Sequence, residues 1–186
     1  MELKGSKTEA NLMAAFAGES QARNKYTYYA SKAKKEGYEQ IAALFQETAD
    51  NEKEHAKMWF KLLQGGQIKS TAENLKDAAA GENYEWTDMY AGFAKVAKEE
   101  GFDQAAGAFD MIAKVEAVHG RRFALLAELL GKNQYFENPD GGEWMCMNCG
   151  HIQKGKMAPP VCPSCHYERG YFIPVELAPY LMPELI

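Results

Sequence analysis

The chain has 186 residues, 46% of them hydrophobic and 25% charged, with a net charge of −5. This composition excludes a disordered or fibrous chain, and the acidic balance argues against nucleic-acid binding, which needs clustered Lys and Arg. No apolar run approaches the ~18 residues of a membrane span, and the opening Met1-Glu2-Leu3-Lys4-Gly5-Ser6-Lys7 lacks the apolar stretch of a secretory signal. We therefore expect a cytoplasmic protein with neither a membrane nor a nucleic-acid partner.

The first ~131 residues are rich in Ala, Glu, Lys, Gln, Leu and Met and contain no Pro. Gly37, Gly65-Gly66, Gly101 and Gly131 divide them into four helical segments. Ser6 with Glu9, and Ser70 with Glu73, have the capping-box spacing at the starts of the first and third. All seven Pro and all four Cys lie beyond Gly131. Asn138-Pro139-Asp140-Gly141-Gly142 reads as a linker, which predicts a helical domain over 1–137 and a linker plus small second domain over 138–186.

The helical part repeats itself. Lys35-Glu36-Gly37-Tyr38-Glu39-Gln40 matches Glu99-Glu100-Gly101-Phe102-Asp103-Gln104 at an offset of 64. Tyr26 and Tyr90, Phe45 and Phe109, Glu52 and Glu116, and His55 and His119 match at the same offset. Two related helix pairs predict a pseudo-symmetric four-helix bundle. Ala17-Gly18-Glu19 matches Ala80-Gly81-Glu82 at 63 instead, so one residue is inserted between Glu82 and Tyr90. A π-bulge there would absorb it without breaking the helix.

Steps of four and three along the second segment select Ile41, Phe45, Thr48, Glu52, His55, Trp59 and Leu62 as the inward face. The fourth gives Ala105, Phe109, Ile112, Glu116, His119, Phe123 and Leu126, and the first gives Leu12, Ala15, Glu19, Ala22, Tyr26, Tyr29 and Ala33. The third adds Glu82 and Glu85. Glu47, Glu54 and Glu128 fall off these faces and read as surface. Carboxylates Glu19, Glu52, Glu82, Glu85 and Glu116 in one buried layer would repel strongly, and no Lys or Arg shares it. Two metal ions are the economical solution, and mixed carboxylate and imidazole donors suit iron or manganese. Glu19, Glu82, Glu52-x-x-His55 and Glu116-x-x-His119 match the two-metal pattern of helix bundles, with Glu85 as an extra acid. Its counterpart in the first half is Ala22, so the two metal positions should differ, with Glu85 and His55 competing for one iron as its oxidation state changes. Tyr26 and Tyr90 read equally as core aromatics and as hydrogen-bond partners of the ligand carboxylates.

Cys146-x2-Cys149 and Cys162-x2-Cys165 form two knuckles that predict a tetrahedral four-thiolate site. This spacing serves zinc ribbons and iron sites alike. Trp144, Tyr167, Tyr171 and Phe172 either shield the site or form the small domain's core. His151 and His166 are expected to be exposed non-ligands, because four thiolates fill the coordination sphere.

Taken together, the Glu19, Glu52-x-x-His55, Glu82-x-x-Glu85 and Glu116-x-x-His119 set followed by the four-cysteine module resembles the rubrerythrin family over essentially the whole chain. Ala17-Gly18-Glu19-Ser20-Gln21-Ala22-Arg23 and Cys162-Pro163-x-Cys165 are its most specific stretches. The resemblance implies an all-α ferritin-like four-helix bundle holding a diiron-oxo centre, followed by a rubredoxin-like β/loop domain with one four-thiolate iron. It implies a peroxidase that reduces hydrogen peroxide, with electrons from NAD(P)H through a donor protein such as rubredoxin or an NAD(P)H oxidoreductase. It also implies a head-to-tail homodimer that brings one chain's thiolate-bound iron to the other's diiron site. A ferritin-like ferroxidase or iron-storage protein is the alternative; a zinc-bearing binding module is disfavoured by the acidic charge.

Overall fold

The computed structural model describes residues 2–178 and divides into two compact units, Met1–Lys69 and Ser70–Ile186. Among the described residues no helix is long and apolar enough to cross a membrane.

The first unit is an antiparallel pair, α1 (Lys7–Lys35) and α2 (Glu39–Leu63). Ser6 caps α1 by accepting from the Glu9 backbone N–H at 3.1 Å. The reciprocal bond falls one residue earlier than expected: Glu9 accepts from Gly5 N–H at 2.6 Å. Gly37, at φ +85°, occupies the left-handed position that ends α1, and Tyr38 N–H closes the turn on Ala33 O at 2.9 Å. The helices meet along a stripe of small residues. Ala30 and Ala33 of α1 and Ala42, Ala49 and Ala56 of α2 are buried, the last three at heptad spacing. Ile41, Tyr29 and Leu62, expected to point inward, remain 47–49% exposed. The physical reason is that the pair closes on its alanines, and the face bearing the acids is a different face.

The second unit begins with α3 (Thr71–Tyr84), which opens on a complete Ser70–Glu73 capping box. A π-helical segment, Glu85–Met89, follows and leads into α4 (Tyr90–Glu99). The π-bulge expected between Glu82 and Tyr90 is present, with Tyr90 N–H donating to Glu85 O, five residues back. After a turn at Gly101 (φ +84°), α5 runs over Asp103–Gly131. Ala94, Ala97, Ala106 and Gly120 repeat the small-residue seam of the first unit. Ring clusters repeat as well. Tyr29 lies 5.5 Å from Phe45 between ring centroids, and Phe93 lies 5.6 Å from Phe109.

An antiparallel sheet of order β2-β1-β3 completes this unit: β1 (Glu137–Cys146), β2 (Ile152–Met157) and β3 (Phe172–Pro174). Residues 138–142, expected as a linker, form the first half of β1, with a break in register between Glu137 and Gly142. Their Asn, Pro and Gly serve this irregularity. Trp144, Cys146, Ala158, Cys162 and Phe172 make the buried core, and Trp144 Nε1–H donates to Gly155 O at 3.1 Å. Tyr167 and Tyr171 instead stack edge to face on the surface, with centroids 4.5 Å apart. Residues 179–186, the end of the second expected domain, lie outside the described residues.

Candidate metal centres

Each helix pair gathers one acidic cluster. In the first, α1 supplies Glu19 and α2 supplies Glu52 and His55, one turn apart on the same face. His55 Nδ1 lies 2.8 Å from Glu52 Oε2 and 3.9 Å from Glu19 Oε1. In the second, His119 Nδ1 lies 2.6 Å from Glu116 Oε2 and 3.7 Å from Glu82 Oε1. Within each cluster one donor atom per residue lies within 4.8 Å of the others, a spread that one cation can draw together. The six side chains come from equivalent positions of the repeat. Glu47, Glu54 and Glu128 are exposed, the last two paired with Lys57 and Lys132.

The halves differ electrostatically. Burial, and then the neighbouring Glu116, hold the Glu82 carboxyl above the usual carboxylate range. Burial, followed by Glu85, Glu116 and Glu82, raises the Tyr90 hydroxyl above the ordinary tyrosine value. Tyr90 thus stays a protonated donor beside three acids. Glu85 is half-buried within the π segment and outside the tight three-residue cluster. Gly120 has no counterpart among the residues that the sequence pattern singles out. A Cβ there would meet Glu82 Cβ at 3.4 Å, so the missing side chain lets α5 approach α3 beside His119. The matching position in the repeat, Ala56, is the signal in the sequence that points to it.

The cysteine module is built from two knuckles that repeat at an offset of 16. Gly150 N–H donates to Cys146 O and His166 N–H to Cys162 O, at 2.8 and 2.9 Å. Gly150 and His166 are the left-handed residues that each turn requires, at φ +77° and +61°. The sulfurs of Cys146 and Cys165, and those of Cys149 and Cys162, are 3.7 Å apart. A disulfide would need ~2.05 Å; a tetrahedron with metal–sulfur bonds of ~2.3 Å has edges of ~3.8 Å, which these separations match. The Asn148 side chain, then the Tyr167 backbone N–H, bring the Cys165 thiol down to about 6. The His151 backbone N–H also lowers Cys149, but Cys165, burial and the remaining sulfurs outweigh it and push that thiol up to about 12. A cation binding here must therefore displace the proton kept at Cys149.

Neither neighbouring histidine joins the cage. His166 is exposed, as expected. His151 is half-buried rather than exposed, because Ser164 Oγ lies 3.0 Å from its Nδ1 and ties the two knuckles together.

The donor sets fit iron at both places: carboxylate and imidazole on the helices, thiolate in the cage. The rubrerythrin family model matches residues 10–127, and the model for the rubrerythrin rubredoxin-like domain matches 144–173. Rubrerythrin of Porphyromonas gingivalis is 52% identical over 94% of this chain and 92% of its own length. Rubrerythrin-1 of Clostridium acetobutylicum is 49% identical, covering 91% of this chain and 95% of its own. Rubrerythrin of Nitratidesulfovibrio vulgaris is 44% identical with the same coverages. This chain thus belongs to the rubrerythrin family of oxidative-stress oxidoreductases, combining a ferritin-like helical domain with a rubredoxin-like module and using iron as its cofactor.

Proposed function

We propose that the protein is a non-haem diiron peroxidase that reduces hydrogen peroxide to water and protects against oxidative stress. The observation that carries this reading is the presence, in one chain, of two matched Glu and Glu-x-x-His clusters together with a four-sulfur cage of metal dimensions. Glu19, Glu52, His55, Glu82, Glu85, Glu116 and His119 hold the diiron pair, and Cys146, Cys149, Cys162 and Cys165 hold the single iron. Domains 1–137 and 138–186 divide these tasks.

Cleaving the O–O bond of peroxide consumes two electrons and two protons and yields two waters. Held by these carboxylates and imidazoles, a reduced iron pair would supply both electrons. The protein's own groups handle the protons and the site's polarity. Tyr90, whose hydroxyl is held above the ordinary tyrosine value by burial and then by Glu85, Glu116 and Glu82, stays a proton donor beside these acids. Tyr26, packed on Phe45 at 6.2 Å, holds the corresponding place in the first half. Cys146, Cys149, Cys162 and Cys165 would hold a one-electron iron, which would pass on electrons from rubredoxin or an NAD(P)H oxidoreductase in the cytoplasm. From His119 to the end of α5 at Gly131 is ~18 Å of helix, so delivery runs between chains of a homodimer.

The test is anaerobic reduction followed by one equivalent of peroxide per iron pair. Rapid reoxidation of the helical irons with no mineral formed supports the peroxidase. Slow reoxidation accompanied by an accumulating ferric mineral identifies an iron-storage protein and overturns it.

A further inference from the structure

The first helix pair carries a hydrogen-bond donor that its own residues leave unmatched. Trp59 Nε1 is buried and finds no hydrogen-bond partner among the described residues. Buried N–H groups are paired in folded proteins, and an unpaired one carries the cost of its lost water. Trp59 follows His55 by one turn on the ligand-bearing face of α2. Its counterpart in the repeat, at the offset of 64, is Phe123, an aromatic ring with no donor. The unmatched group therefore belongs to one half only.

Helical side chains lean toward the N-terminus of their own helix. In the antiparallel pair this tilts Trp59 back over the turn of α2 that carries His55, and tilts Glu19 toward the level of Phe16 on α1. The Phe16–Phe60 contact, with ring centroids 5.6 Å apart, sets that level against α2. Trp59, next to Phe60, and Glu19, one turn beyond Phe16, thus converge on the same stretch of the seam from opposite helices. Among the half-buried residues of α1 from Leu12 to Ala22, only Glu19 and Ser20 carry a side-chain oxygen, and the Ser20 hydroxyl is turned back onto Phe16 O at 2.7 Å. On α2, Glu52 Oε2 is engaged by His55 Nδ1 at 2.8 Å. His55 presents Nδ1 to both acids, so a cation gathered there leaves the ring proton on Nε2, which is then a donor as well. Glu19 is the acceptor that remains, and a carboxylate that gives one oxygen to a cation keeps the other for an N–H.

We propose that Trp59 is a positioning residue of the first metal position: its indole N–H donates to the Glu19 carboxylate when that carboxylate binds a cation, and so fixes which oxygen of Glu19 faces the metal. This rests on the diiron reading and adds a second inequality between the halves. The first half gains a donor at Trp59, where the second has Phe123, and the second gains an acid at Glu85, where the first has Ala22. The indole makes no bond in the metal-free pair, so its contribution is to metal binding and not to the stability of the hairpin.

The test follows the indole N–H resonances of the full chain, labelled with nitrogen-15, as zinc is added as a diamagnetic probe. Trp144, whose Nε1–H donates to Gly155 O at 3.1 Å, is the internal standard for a bonded indole. The Trp59 signal is expected upfield of Trp144 in the metal-free protein, and is expected to move downfield toward it as the His55 ring signals report bound zinc. Trp59→Phe, which copies the second half, should weaken zinc binding reported by His55 by ~10-fold, leave binding reported by His119 unchanged, and leave the metal-free Tm no lower than wild type. A Trp59 signal that stays in place while His55 reports zinc overturns the proposal and leaves the peroxidase reading standing. So does a signal already at the Trp144 position without metal, which marks a bond internal to the hairpin, and so does a Trp59→Phe variant that binds zinc at His55 as tightly as wild type. His55 and His119 signals that both ignore zinc overturn the metal reading as well. Through-bond assignment of Trp59 in the wild type keeps the first measurement independent of whether the variant folds.

Discussion

The two helix pairs share the plan of a single hairpin and differ at a few positions. Both close on alanines, turn at a glycine with φ near +85°, and set a Glu-x-x-His beside a Glu from the neighbouring helix. The second adds one residue as a π segment, places Glu85 where the first has Ala22, and replaces the seam residue Ala56 with Gly120. The matching positions gather two equivalent sets of metal-donor side chains, and the departures make their surroundings unequal.

The largest effect should come from removing an acid common to both halves. Glu52→Ala and Glu116→Ala are each expected to weaken helical iron binding by ~100-fold or more, measured by iron content after dialysis. Retention in only one of them would break the equivalence. Glu85→Ala makes the second half resemble the first. It should bring the Mössbauer signals of the two irons together and slow peroxide turnover by ~10–100-fold, the usual share of a positioned proton carrier. Unchanged, distinct signals would place the asymmetry elsewhere.

Gly120→Val forces methyl groups against Glu82 Cβ and should cost ~1–3 kcal/mol of overpacking, read as a lower Tm and weaker iron retention. Ala56→Gly in the first pair should cost only ~1 kcal/mol. Acid separates the halves more gently. Glu82 has a folded-state value above its unfolded one, so its contribution to apoprotein stability is full below the unfolded value and is lost as pH rises through the folded value. Iron needs the carboxylate, so acidification should release iron at a higher pH from a Glu82→Gln variant still able to load than from wild type. Smallest of all, His166→Gly relieves a left-handed residue in the second knuckle turn and should stabilise the metal-free module by ~1 kcal/mol, measured by urea unfolding.

Much of the fold and of the site is legible in the residues alone. The change of offset from 63 to 64 locates the π segment to within a few residues, because a repeat records an insertion even when hydropathy does not. The acids of the two clusters stand out as charges where a bundle wants leucine. The alanine seam does not, since Ala is indifferent to both water and core, and Ala42, Ala49 and Ala56 become informative only once two backbones are seen to touch along them. Residues 138–142 mislead for the opposite reason: Asn, Pro and Gly are the residues of linkers, and they are equally the residues of an irregular strand. Trp144 and Phe172 separate from Tyr167 and Tyr171 because only strands β1 and β3 turn a side chain inward at those positions.

The alanine seams also bear on how the molecule is made. Neighbours in such a seam are close in sequence and joined by a three-residue turn, so each hairpin can zip up soon after it leaves the ribosome. Refolding should therefore show a fast phase, independent of protein concentration, in which helix forms.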